Sequence, residues 1–131
     1  MASVGSSAAV NILVQFDRIA TSEDWDDTSR GNWSDVKRFR VERGKQPIKS
    51  NQLADLGELN MGDPHTVVDF LAWGIRTYPA RHYALIFWDH GASWPGVAND
   101  DSSDSDMITL PELAGALADV RKNTGVQKLD L

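Results

Sequence analysis

The sequence contains no cysteine among its 131 residues. This absence excludes disulfides, cysteine-ligated zinc, iron–sulfur clusters and a thiol nucleophile within these residues. The sequence also lacks any apolar run near the roughly 20 residues that a membrane-spanning helix needs. Basic residues are in deficit, because 13 Lys and Arg stand against 19 Asp and Glu and give a formal net charge of −6. A nucleic-acid surface needs a basic patch, so we predict neither a membrane partner nor a nucleic-acid partner.

The residues that are present have an ordinary globular composition. Hydrophobic residues make up 41% and charged residues 24% of the chain. This usage is typical of a folded protein rather than a disordered one. The length predicts one domain.

Apolar runs alternate with helix signals along the chain. Val10–Phe16 and Tyr83–Trp88 are apolar on both faces, which predicts two buried strands. The pair Asp63–Pro64 predicts a helix start, because Asp supplies a cap oxygen and Pro fits the first helical position. Thr109 and Glu112 have the capping-box spacing and predict the start of a second helix.

Two further segments complete the predicted pattern. Val36–Glu42 alternates apolar and charged residues, which predicts a half-exposed strand in a hairpin whose second strand begins at Pro47. Lys128–Leu131 resembles the opening of a last strand and is shorter than strands usually are, so we expect the chain to be truncated. Strands joined by helices predict an α/β fold with parallel strands and helices on both faces of the sheet.

His90 is the residue best placed to carry chemistry. It follows the predicted strand Tyr83–Trp88, and ligands of open α/β sheets bind beyond the carboxyl ends of the strands. The pKa of histidine lies near neutrality, which suits a general base or acid. A loop histidine that only hydrogen-bonds a neighbour is an equal alternative from position alone. His65 and His82 have no nucleophile pattern beside them, so a structural role is favoured for both.

Trp94 is a candidate substrate-binding residue. It lies four residues beyond His90, where an indole can form one wall of a pocket. Packing in the core or within the loop is the equal alternative.

An acidic segment, Asn99–Asp106, invites a calcium interpretation. The weak candidates for calcium ligands are Asp100, Asp101, Asp104 and Asp106. An EF-hand is disfavoured, because Asp106 stands where the loop needs glycine and Glu112 is already explained as the capping-box partner. A solvated acidic loop is the default, and a calcium site of another kind stays open.

The order of five motifs resembles the clostripain family of cysteine peptidases. The motifs are VNILVQFDR at Val10–Arg18, LGELNMGDP at Leu56–Pro64, YPA at Tyr78–Ala80, YALIFWDHG at Tyr83–Gly91 and LPEL at Leu110–Leu113. The resemblance covers the chain from about Ser3 to Leu131, and NMGDP and the WDHG strand end are its specific parts.

The resemblance implies a caspase-like fold, which is a three-layer α/β/α sandwich with a mostly parallel sheet, here incomplete at both ends. Residues 1–131 would then form one partial domain, without the family's first strand and helix and without the cysteine-bearing segment that continues from Lys128–Leu131. The resemblance makes His90 the histidine of a Cys–His dyad. It also makes Gly91 the donor of a backbone N–H to the oxyanion of the tetrahedral intermediate.

The same resemblance implies a bacterial endopeptidase that cleaves after Arg or Lys and is exported or extracellular. Its partners would be a peptide or protein substrate and the remainder of the same polypeptide or a heavy chain. No cofactor is certain, although some members need calcium. Without a cysteine, the isolated chain is predicted to be inactive. Two alternatives stay open, namely a non-catalytic α/β module that binds peptides through the Trp94 loop, and a calcium-dependent structural module centred on Asp100–Asp106.

Overall fold

The computed structural model describes residues 1–18, 33–88 and 95–130. Its regular elements in chain order are β1 Leu13–Phe16, β2 Val36–Arg40, β3 Ala54–Gly57, α1 Pro64–Thr77, β4 Gly96–Asp100, β5 Asp106–Thr109 and α2 Leu110–Thr124, with a 3-10 turn at Lys49–Asn51. They fall into two compact units, Met1–Leu59 and Asn60–Leu131. The single partial domain stays a prediction.

The predicted three-layer sandwich with a mostly parallel sheet is wrong. The fold is mixed α/β, with one antiparallel sheet in the order β1-β2-β3 and one antiparallel hairpin of β4 and β5. Among the described residues, parallel pairing is confined to a single bridge between Ala84 and Asp130. Alternating strands and helices predict a parallel sheet only where the strands pair with one another. Here β1 pairs instead with β2, and β4 and β5, which lie between α1 and α2 in the chain, pair with each other as a local hairpin.

The first unit, Met1–Leu59, also differs in detail from its predicted hairpin. The strand β2 was expected to be half exposed, but Val36–Phe39 is buried on both faces of the sheet. Its predicted partner at Pro47 is absent from the sheet, because a 3-10 turn at Lys49–Asn51 intervenes and the pairing strand is β3. The strand β1 is confirmed but short, and it is half-buried rather than buried.

Trp33 is the centre of this first unit. Its ring lies edge-on to Phe16 at 5.4 Å and tilted to Phe39 at 5.7 Å between centroids. Its Nε1 donates to the Pro47 carbonyl at 3.2 Å, which satisfies the one polar atom of a buried indole. The Lys37 Nζ lies 5.5 Å from the centroid of the Trp33 ring.

The two helices of the second unit, Asn60–Leu131, begin where the sequence predicts. The Asp63 side chain accepts from the His65 backbone N–H at 2.8 Å and caps α1. At the start of α2, the Thr109 hydroxyl oxygen accepts from the Glu112 backbone N–H, and the Glu112 carboxylate accepts from the Thr109 N–H. Gly125 ends α2 in the left-handed region with a φ of 75°, which glycine adopts without a steric penalty.

The core of the second unit is aliphatic. Its buried members are Val67, Leu71, Ile75, Leu85, Ile108, Leu113 and Val120. Leu85 comes from the predicted strand Tyr83–Trp88, and Val97 of β4 is partly buried against the same cluster. Both segments that flank residues 89–94 are therefore anchored in one core. Neither helix in the described part of the chain has the length and apolarity to cross a membrane.

Candidate active site

Three of the predicted site residues, His90, Gly91 and Trp94, lie outside the described residues. The chain is described up to Trp88 and again from Pro95. The structure therefore shows what holds each end of the segment that carries the candidate histidine.

The upstream end is held by the parallel bridge. The Asp130 backbone N–H donates to the Tyr83 carbonyl at 3.0 Å, and the Leu85 N–H donates to the Asp130 carbonyl at 2.8 Å. Leu85 is buried in the core, whereas Ile86 and Trp88 are 74% and 87% exposed. The Lys128 ammonium pairs with the Asp130 carboxylate at 2.8 Å and holds the pKa of that carboxyl below its usual range.

The downstream end is held by the β4–β5 hairpin, in a region that the sequence predicts to be a loop. Gly96 pairs with Thr109 and Asp100 with Asp106, and a bulge at Ala98 places that residue at a φ of 58°. Gly96 packs so tightly that a Cβ there would overlap the Ile108 carbonyl and the Met107 side chain. The position of β4 on β5 is therefore fixed within a narrow range.

Asp100 closes the far end of this hairpin and is only 4% exposed. Its Oδ1 accepts from the Ser102 backbone N–H at 2.9 Å and from the Ser102 hydroxyl at 2.7 Å, while its Oδ2 accepts from the Met61 N–H at 2.7 Å. Burial alone raises the pKa of the Asp100 carboxyl, but the hydrogen bonds from Ser102 and Met61 outweigh burial and hold the pKa below its usual range. Asp100 is therefore an ionised carboxylate bound by neutral donors.

The other three acidic candidates occupy the exposed tip and side of the hairpin. Asp101 accepts from the Asn99 side-chain amide at 2.7 Å. Asp104 lies at the tip with a φ of 56°. Asp106 accepts from the Asn60 amide at 2.6 Å and from the Met107 N–H at 2.9 Å. A calcium ion needs six to eight oxygen ligands. Calcium binding by these four residues stays a prediction.

The first three residues of the NMGDP motif, Asn60–Gly62, have a structural role that the sequence pattern does not predict. Asn60 and Met61 bind Asp106 and Asp100, and Gly62 lies so close to the Asp106–Met107 backbone that a Cβ would overlap it. These contacts join residues about forty positions apart, which no local pattern reveals. The Asp100–Ser102 spacing of an Asx turn is the signal that predicts the local half of the arrangement.

A comparison with models of known protein families identifies the family of this chain. The model of the clostripain family matches residues 1–131, which is the whole of the chain. That match places the chain in the class of cysteine peptidases, whose substrates are peptides or proteins. The chain belongs to the clostripain family, as its motifs predict. A search of curated proteins finds no match to the sequence.

Proposed function

We propose that these residues carry the histidine half of a Cys–His dyad in an endopeptidase that cleaves after Arg or Lys. In this proposal His90 deprotonates the thiol and then protonates the leaving amine. The Gly91 N–H and the cysteine's own N–H donate to the oxyanion of the tetrahedral intermediate. The 131 residues contain no cysteine, so the thiol comes from polypeptide outside them.

The observation that carries this proposal is the bridge between Ala84 and Asp130. The two segments run side by side in the same direction, and one of them leads within six residues to His90. Neighbouring strands lie about 4.8 Å apart, so groups that follow two paired parallel segments can reach one scissile carbonyl. A cysteine on the chain that follows Asp130 would be on the correct side of the bridge for such a dyad.

Selection of a basic side chain is proposed from the family resemblance, and the charge of the chain is consistent with it. The formal net charge is −6, and a surface of one sign raises the local concentration of substrates of the opposite sign. Trp94 is proposed as one wall of the substrate pocket.

The test begins with the gene, read beyond the codon for Leu131, and continues with the polypeptide that it encodes. That polypeptide should hydrolyse peptides with Arg or Lys before the scissile bond. His90→Ala should lower kcat/KM by about 10²–10⁴-fold, which is the usual contribution of a positioned acid and base. His65→Ala is the matched control, because the His65 side chain is 90% exposed and its Nδ1 lies 2.8 Å from the Asp63 carboxylate at the start of α1.

The outcomes separate the hypotheses. Near-normal activity in His90→Ala would remove His90 from the mechanism. A parent gene without a downstream cysteine would instead favour a non-catalytic module that binds peptides. The isolated 131 residues should show no hydrolysis, and thiol-peptidase activity from them would contradict the proposed division of the dyad.

A further inference from the structure

The two helices of the second unit pack side by side and leave a groove between their first halves. They run in the same direction, because Glu112 near the start of α2 is repelled by Asp63 at the start of α1, and near their ends Arg76 donates to the Asn123 carbonyl at 3.4 Å. The groove has a volume of about 180 Å³. Its floor is apolar and is formed by Pro64, Val68, Gly115 and Ala116.

Gly115 leaves this groove deeper than the packing of the helices requires. It lies inside α2, where glycine is the least favourable residue after proline. A Cβ built at Gly115 would meet no atom within 4 Å. Close packing of the described residues therefore does not require glycine here, and the missing side chain is what keeps the floor of the groove open.

The rim of the groove carries two carboxylates with unused hydrogen-bonding capacity. The Oε2 of Glu112 accepts from the Thr109 backbone N–H at 2.9 Å and from the Thr109 hydroxyl at 2.7 Å. Its Oε1 has no donor among the described residues. Asp119 is exposed and has no hydrogen bond or ion pair within the described part of the chain. Both carboxylates can therefore accept from a ligand.

Negative charge predominates at this end of the helices. Hydrogen bonds from Thr109 lower the pKa of the Glu112 carboxyl, and repulsion from the Asp106 and Asp63 carboxylates opposes that shift. The N-termini of two helices supply about one positive charge between them, which these three carboxylates and Asp119 exceed. The Lys and Arg residues of the second unit all lie in or beyond the last turns of the helices, at Arg76, Arg81, Arg121, Lys122 and Lys128.

We propose that the α1–α2 groove binds a basic side chain of a peptide or protein. The aliphatic stem lies on Val68 and Ala116, and the cationic head pairs with the Oε1 of Glu112, where the carboxylates are most concentrated. Lys and Arg bury their stems on apolar surface in this way while the head stays polar. Asp119 lies two turns along α2, about 10 Å away, and adds to the attraction. The groove contains no residue of the proposed dyad, so this inference goes beyond the proposed function and does not depend on it.

The test uses Nα-acetyl-arginine amide as the probe and Nα-acetyl-citrulline amide as its uncharged isostere. NMR of the full-length polypeptide, with any thiol alkylated to prevent hydrolysis, follows the backbone amides of Val68, Gly115 and Ala116. The pH is 8, because a protonated imidazole at His65 on the rim would compete with the probe. The arginine probe should shift these amides saturably, and citrulline should bind about 3–10-fold more weakly, as expected for a partly exposed charged pair.

Two substitutions locate the site. Glu112→Gln removes the charge but keeps the capping box, in which Gln serves as well as Glu, so it should weaken arginine to the level of citrulline. Gly115→Leu should abolish the shifts by filling the groove, and the open space at Gly115 allows it to fold. Asp104→Asn is the matched control, because Asp104 is an exposed carboxylate of the same unit outside the groove, at a φ of 56° that Asn adopts readily. It should leave binding unchanged.

Each outcome decides the proposal. Shifts that require the guanidinium and are lost in Glu112→Gln, but not in Asp104→Asn, support it. Equal binding of arginine and citrulline would show an apolar groove without selection of charge and would overturn it. Wild-type binding in Glu112→Gln, or equal losses in Glu112→Gln and Asp104→Asn, would also overturn it. So would Ca²⁺ at millimolar concentration moving these amides when the arginine probe does not, because the carboxylates would then serve a metal ion.

Discussion

The two units of the molecule bury different chemistry. In Met1–Leu59 the buried charged residues among those described are the cations Lys37 and Arg38, which are 3% and 5% exposed. Lys37 lies beside the Trp33 ring, and the Arg38 guanidinium donates to the Gln15 side chain. In Asn60–Leu131 the core is aliphatic, and the buried charged residue among those described is the anion Asp100.

The two units therefore stabilise a buried charged side chain in different ways. The first unit keeps a long aliphatic stem inside and brings the Lys37 ammonium to the partly exposed carboxylate of Asp55 at 2.7 Å. The second unit surrounds a short carboxylate with neutral backbone and hydroxyl donors. The first solution depends on a partner charge, and the second depends on precise placement of donors from two segments of the chain.

The largest expected effect is in the aliphatic core of the second unit. Ile108 of β5 is fully buried in the cluster that both helices contribute to. Ile108→Ala should therefore lower the free energy of unfolding of this unit by about 2–5 kcal/mol. Urea titration followed by hydrogen exchange, resolved by peptide, measures each unit separately. Leu110→Ala is the control, because Leu110 is 47% exposed and its truncation should cost about 0.5 kcal/mol or less. Equal effects of the two variants would show that the described core does not support the second unit.

The next effect is in the first unit and concerns its buried cation. Lys37→Met keeps the stem but removes the ammonium from Asp55 and from the Trp33 ring. The ring contact of a desolvated cation suggests a loss of about 1–2 kcal/mol in the free energy of unfolding. Lys45→Met removes an exposed pair with Glu42 and should change stability little. A Lys37→Met variant as stable as the wild type would show that the Lys37 ammonium makes no net contribution to the stability of the first unit.

The helices of the second unit were predictable from the sequence because their signals are local. Asp63 with Pro64 sets one start, Thr109 with Glu112 sets the other, and Gly125 sets an end. Each signal works through hydrogen bonds within about four residues, so it does not depend on the rest of the fold.

The sheets were not predictable, because strand pairing is decided by distant partners. β4 was missed because Ala98 is bulged and the tip residues Asp104 and Ser105 have positive φ values, so no apolar alternation marks the hairpin. Tyr83–Trp88 has the composition of a buried strand, yet its described pairing is limited to Ala84. At the site, the position of His90 after an apolar run suggested its role, whereas the contact of Asp100 with Met61 depends on folding.

The smallest effect distinguishes the two ways of stabilising a carboxylate. The hydrogen bond and charge of Lys37 hold the pKa of Asp55 below its usual range, whereas neutral donors outweigh burial and do the same for Asp100. High salt screens the interaction between charges that are partly exposed. About 1 M NaCl should therefore raise the pKa of Asp55 toward its ordinary value and leave that of Asp100 lowered. Titration of the side-chain carboxyl carbons by NMR at two salt concentrations measures both groups in one sample.

The dependence of stability on pH follows from the sign of these shifts. A carboxyl whose pKa is lower in the folded state contributes stability above about pH 4, and this is lost as the pH falls through the folded pKa. High salt should therefore reduce the part of the acid sensitivity that Asp55 contributes and leave the part that Asp100 contributes in place. Asp100→Asn should remove the contribution of Asp100 at either salt concentration. If salt moves the pKa of Asp100 as far as that of Asp55, then a partner charge rather than Met61 and Ser102 stabilises Asp100, and the contrast between the two units fails.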